Sequence, residues 1–132
     1  MRKKFITILL LLAVVFIGCN STKNIDASLL KNSWTHAYEE DENGVSVFRQ
    51  TDSQEFAPSM YRLNLFLKDQ NQAEYLVLSP VDAHYMETGL WRYDTNSNRL
   101  IVTDTSGKTV RQYQVLEVTD NLLKVKEISS QQ

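Results

Sequence analysis

The sequence predicts an all-β domain, an eight-stranded antiparallel up-and-down β-barrel behind an N-terminal leader. Three observations carry the prediction. From Leu29 onward apolar and polar residues alternate with the two-residue period of half-buried strands. Turn chemistry interrupts that alternation at short, regular intervals. Outside residues 26–31, no apolar face recurs at helical spacing for more than two turns. Consecutive antiparallel strands with short links favour a closed wall, because closure removes exposed edges.

The elements follow in order. Residues 33–40 read as the first strand. Asn43-Gly44 forms a tight hairpin turn, since both central positions of a type I′ turn need positive φ. Residues 45–49 return. A looser stretch, 50–59, carries Pro58 and leads into the third strand, 60–68. Residues 68–72 turn the chain into 73–78, which Pro80 stops because proline cannot donate to a ladder. Residues 81–88 read equally as loop or strand, whereas 89–94 is clearer, with Gly89 at a bulge or bend. Asn96-Ser97-Asn98 leads into 99–104, Ser106-Gly107-Lys108 into 109–118, and Asp120-Asn121 into 122–128.

Parity assigns the faces. The predicted interior holds Trp34, Tyr38, Leu63, Leu65, Leu67, Trp91, Tyr93, Tyr113, Val115, Leu123 and Val125, with Tyr61 on the same face as Leu63. Arg62, Arg92 and Arg111 are placed outside. In 45–49, 73–78 and 99–104 both faces are apolar, and parity selects neither.

The first nineteen residues have a different character. Arg2, Lys3 and Lys4 precede an apolar run over 5–17, closed by Gly18 and Cys19. Thirteen apolar residues are short of the roughly 20 that span a bilayer and suit the centre of a secretory signal. Cys19 is the only cysteine, so a disulfide framework is excluded. A small residue before a lone cysteine at the end of a signal resembles the lipobox of bacterial lipoproteins. That resemblance implies cleavage after Gly18 and lipid attachment, including palmitate, at Cys19. An ordinary secretory signal and a short uncleaved anchor are the alternatives. The expected organisation is a signal peptide over 1–18, a lipidated polar tether over 19–28, and the barrel domain over 29–132.

Removing residues 1–18 leaves 114 residues with 11 basic and 16 acidic side chains, a net charge of −5. That is one domain's worth of chain. The acidic balance argues against a nucleic-acid partner, which needs a basic face. The acidic run Glu39-Glu40-Asp41-Glu42 reads as a solvated turn.

Little in the chain points to catalysis. His36 and His84 are the only histidines, and a zinc site would need them to meet across the barrel with a third ligand. No Gly-x-Ser-x-Gly elbow or glycine-rich phosphate loop occurs, and paired carboxylates are confined to the acidic turn. The expectation is a non-enzymatic protein without metal or cofactor.

Three stretches carry a further resemblance: Leu30-Lys31-Asn32-Ser33-Trp34, Glu87-Thr88-Gly89-Leu90-Trp91-Arg92-Tyr93-Asp94, and Tyr113-Gln114-Val115 with Leu122-Leu123-Lys124-Val125. Over residues 29–128 the chain resembles the small lipocalin-like lipoprotein domains of bacteria of the Bacteroidota type. Lipocalins open with Gly-x-Trp, whose tryptophan closes one barrel end beneath a basic residue near the last strand. Trp34 matches that tryptophan, and Asn32 replaces the glycine. Lys124 or Lys126 could supply the basic residue only by pointing inward.

The resemblance implies a cell-envelope protein held to a membrane by its N-terminal lipid, with the periplasmic side favoured. It also implies a barrel binding one small hydrophobic ligand, and Trp34, Tyr38, Tyr61, Trp91, Tyr93 and Tyr113 are the candidate contacts. An eight-stranded interior is just wide enough for packed side chains or one small ligand. The alternative is therefore a fully packed barrel whose loops, such as 50–59 and 81–88, serve as a protein-interaction or inhibitor module. No particular protein partner is indicated.

Overall fold

Turn residues and alternating apolar positions build the wall hairpin by hairpin. A computed structural model of the chain describes residues 23–59, 61–81 and 84–129. The signal peptide and Cys19 expected from the sequence lie outside the described residues.

The strands are β1 (Ser33–His36), β2 (Ser46–Gln50), β3 (Asn64–Leu67), β4 (Gln72–Leu78), β5 (His84–Asp94), β6 (Arg99–Asp104), β7 (Thr109–Val118) and β8 (Leu122–Glu127). They close into one ring in the order β1-β2-β8-β7-β6-β5-β4-β3, with β3 pairing back to β1. Every neighbouring pair is antiparallel.

This is the predicted eight-stranded barrel with one correction: the order is not purely up-and-down. Strands β3 to β8 follow each other around the ring, but the first hairpin is reversed. β2 meets β8, and β1 sits between β2 and β3. β2 and β3 therefore run in the same direction, and the connection over 51–63 must climb the outside of β1. Its footprint is visible on Thr35, which alternates outward from Trp34 yet is only 4% exposed. Thr35 Oγ1 and Thr51 Oγ1 share a hydrogen bond of 3.1 Å, and Thr35 Oγ1 donates to Asn64 Oδ1 at 2.9 Å. Thr51 N donates to Ser33 O at 2.9 Å.

The first strand is also shorter than expected. It ends at His36, and Tyr38–Glu40 form a 3-10 turn. Asp41 pulls the chain out of the ladder: its carboxylate accepts from Val47 N at 2.8 Å and lies 2.8 Å from His36 Nε2. Glu40 takes two hydrogen bonds from Arg49, and Glu39 is paired with Arg62. The run stays solvent-exposed, as expected, but Glu39, Glu40 and Asp41 each hold a partner there. Asn43 and Gly44 have φ of 53° and 75°, as the turn they form requires.

The three strands whose faces parity left open now have an inner face, although Val47 and Ile101 on the other side are also buried. Phe48 points inward from β2, Ala73 and Tyr75 from β4, and Leu100 and Val102 from β6, all buried. With Trp34, Leu65, Leu67, Leu123 and Val125 they fill the middle of the barrel. Both indoles lie on the inner side, Trp34 fully buried and Trp91 packed half-buried against the core.

One end, the base, is closed. The 3-10 turn Ala27–Leu30 buries Leu30, whose carbonyl accepts from Trp34 Nε1 at 2.9 Å. Trp91 Nε1 donates to Lys68 O at 2.9 Å, and Asn32 Nδ2 to Asp120 O at 3.0 Å. Ile25 and Ala27 pack against the core as well, so the domain's contacts begin upstream of residue 29.

Gly89 sits in the middle of an unbroken β5, not at a bulge. A Cβ there would lie 2.0 Å from Thr103 O and 3.0 Å from Tyr75 Cε1, so only glycine lets β6 and the Tyr75 ring approach this closely. The irregularities fall instead on β7, where register shifts occur opposite Val102/Thr103 and at Val115/Glu117.

Candidate functional site

The six aromatic residues expected around a ligand do not converge on one pocket. Trp34 and Tyr113 are buried in the filled centre, and burial pushes the Tyr113 phenol up to about 12. Trp91 and Tyr93 are half-buried, and their polar atoms are engaged; Tyr93 Oη donates to Asn98 Oδ1 at 2.7 Å in the turn after β5. Tyr38 and Tyr61 do not face the interior as the sequence predicts. They are 45% and 50% exposed because each lies outside a strand, one in the 3-10 turn and one in the crossover. The Arg62 guanidinium lies 4.5 Å over the Tyr38 ring, and the Tyr61 ring is 5.2 Å from that of His84.

A different group of residues forms a site at the rim, the end opposite the base. The β4–β5 register pairs Tyr75 with Glu87, so both project to the inner side. On β7 the bulge leaves Val110 as an extra residue between Thr109, opposite Thr103, and Arg111, opposite Val102. A bulge re-aims side chains, and here it brings Val110 and Arg111 to the same opening. Arg111 was expected outside, but it shares the parity of Tyr113 and Val115 and turns inward with them. Tyr75, Leu76, Val77, Leu78, Glu87, Val110 and Arg111 line an open cleft of about 360 Å³. That volume lies near the lower end for small-molecule sites, roughly 300–1,000 Å³.

The cleft is chemically uneven. Tyr75 is 3% exposed, and its hydroxyl has no hydrogen-bond partner. Burial, foremost, and then the negative charges of Glu87 and Asp104 push its phenol above the ordinary value. Glu87 is close enough to act on the phenol, although no hydrogen bond of ordinary geometry joins them. Arg111 Nη1 donates to Glu127 Oε1 at 3.2 Å. Among the described residues, Glu87 has no ion-pair partner. The arrangement suits a small amphipathic molecule, with an apolar flank on Val77 and Val110 and a polar end at Tyr75 and Glu87.

The sequence hid this site for specific reasons. Tyr75 belongs to a strand apolar on both faces, and Glu87 to a stretch readable as loop or strand. A stricter parity count on β7 would have found Arg111. The histidines do not join the site: His36 stacks on Phe48 at 4.9 Å and bonds to Asp41, and His84 is exposed. Among the described residues no three His, Cys, Asp or Glu side chains are grouped to hold a metal. No protein-family model matches the chain, and searches of curated proteins and of solved structures return no match.

Proposed function

We propose that this protein is a lipid-anchored cell-envelope protein whose barrel binds one small hydrophobic or amphipathic molecule at its rim, without catalysis or cofactor. The observation that carries the reading is the Tyr75 hydroxyl, buried and unpartnered on a residue that lines a cleft of about 360 Å³. Buried polar groups are almost always satisfied, and an orphan in a cleft is explained by a ligand that completes it. The packed centre restricts that ligand to the mouth, so the calyx-like occupancy of a lipocalin is replaced by a shallower seat.

The lipocalin resemblance supports the reading at Trp34, which closes the base as the lipocalin tryptophan does. Two features depart from it. Lipocalins are up-and-down barrels, whereas β1 and β2 are exchanged here. Leu123 and Val125 are buried, so Lys124 and Lys126 alternate outward and neither covers Trp34; its indole bonds to Leu30 O instead.

Calorimetric titration with a panel of C8–C12 neutral and charged amphiphiles tests the binding. Saturable one-to-one binding that Val110→Asp abolishes supports it; no heat from any member sinks it. Metabolic labelling with palmitate tests the anchor: the label is expected in the wild type and lost in Cys19→Ser. A second reading, a protein-interaction module, draws on the apolar side chains exposed around the β4–β5 connection. Leu78, Val81 and Tyr85 are 47%, 82% and 49% exposed there.

A further inference from the structure

The rim cleft carries a charge imbalance that selects among amphipathic molecules. Two other charged side chains of the described residues, Arg111 in the lining and Asp104 acting on Tyr75, stand near Tyr75 and Glu87, and each already has partners. Arg111 is bound to Glu127 at 3.2 Å. Asp104 is held by its own turn, accepting from Ser106 and from Lys108 N, with the Lys108 charge beside it. Among the described residues Glu87 is left without a cation. It faces Tyr75 in the β4–β5 register, across an opening whose other flank is Val77 and Val110.

We propose that the cleft binds the ammonium end of a small primary amine with an apolar body, seated between the Glu87 carboxylate and the Tyr75 hydroxyl. This deepens the binding role proposed above and rests on it. An ammonium has three donors and no acceptor, so it can donate to the Glu87 carboxylate and to the Tyr75 oxygen together. The phenol, held neutral by its surroundings, then accepts from the ligand. A carboxylate head would instead meet an uncompensated negative charge, and its one cationic partner, Arg111, is already engaged. A neutral alcohol could satisfy Tyr75 but would leave Glu87 unpaired. Charge-assisted hydrogen bonds are about twice as strong as neutral ones, which sets the order amine, alcohol, carboxylate.

Three ligands of matched length, octylamine, octanol and octanoate, test this by calorimetric titration of the wild-type protein and of Glu87→Gln and Tyr75→Phe. The amine is expected to bind at least about tenfold more tightly than the alcohol, with octanoate weakest. In Glu87→Gln the amine should fall to the level of the alcohol while octanol binding stays as it was, which also shows that the variant is folded. Tyr75→Phe should weaken both octylamine and octanol. Equal binding of all three ligands, or an amine preference that survives Glu87→Gln, overturns the headgroup assignment and leaves the binding role standing. No binding by any of the three overturns both.

Discussion

Arg62 shows how much a single side chain can organise in this fold. Its side chain is only 9% exposed, although it projects from the crossover and not from a strand. It donates to both Glu39 oxygens, to Ala57 O at 2.8 Å and to His36 O at 3.2 Å, and its guanidinium lies near the rings of Tyr38 and Phe56. The hydrogen bonds from Arg62, first among the causes, hold the Glu39 carboxyl at about 2, against an ordinary 4.5. A carboxyl depressed by folding stabilises the native state above its unfolded value and loses that contribution as pH falls towards the folded one. Wild-type stability should therefore decline between pH 4.5 and about 2 more steeply than that of Glu39→Gln, as measured by urea denaturation across that range. Tyr75 makes the opposite kind of prediction. An unsatisfied buried hydroxyl costs about 1–3 kcal/mol, so Tyr75→Phe should raise the unfolding free energy by an amount of that order. An unchanged or lower value would mean the hydroxyl is satisfied in the free protein. Neither role was legible beforehand: parity put Arg62 outside, where it is, but could not foresee the strap that covers it.

At the scale of elements, five of the predicted strands, β2, β4, β6, β7 and β8, begin and end within one residue of the observed ones, because turn residues mark their limits locally. Asn43-Gly44 and Ser106-Gly107 carry positive φ where the chain reverses, at Asn43, Gly44 and Gly107. β3 starts later than expected, at Asn64, and β5 earlier, at His84, while β1 was overextended through Tyr38–Glu40, because the pull of Asp41 on Val47 N is a tertiary contact without a local signature. Gly89 was legible as special but not as to why: its constraint is the proximity of Thr103 O and the Tyr75 ring, two neighbouring strands away from its own turn signals. Gly89→Ala forces β5 and β6 apart and should cost about 1–3 kcal/mol, the usual range for overpacking. Thermal unfolding would register this as a lower midpoint, and an unchanged midpoint would show that the wall can yield. The crossover makes an element-scale prediction too. Arg62→Ala removes its clamp, so limited proteolysis should cut within 52–59 faster than in the wild type, while fragments from β3–β8 remain protected.

For the whole molecule, closure and strand count follow from the alternating pattern, but the order around the ring does not. A strand's apolar face says that it needs neighbours, not which ones, and β2 could pair with β3 or β8 equally well by pattern. The described chain enters at the base, where Lys23 pairs with Glu117 at 3.0 Å near the end of β7. The rim cleft opens at the other end. A lipid on Cys19 would accordingly hold the base toward the membrane and turn the cleft outward. Quenchers confined to the bilayer should then reach the base before Tyr75. Trp34→Ala, by removing the side chain that plugs the base, is expected to cost about 3–5 kcal/mol in denaturant unfolding.

Closure of the ring between β2 and β8 has a kinetic consequence. The first hairpin completes its hydrogen bonding on β2 only when β8, the last strand of the ring in chain order, arrives beside it. Until then a growing chain exposes β2 as a raw strip of amides and carbonyls, ready to pair with whatever is near. Pairings so distant along the chain are slow to find, so this barrel cannot mature stepwise as it emerges. The emergence of β8, and not any earlier moment, is when its native state becomes reachable.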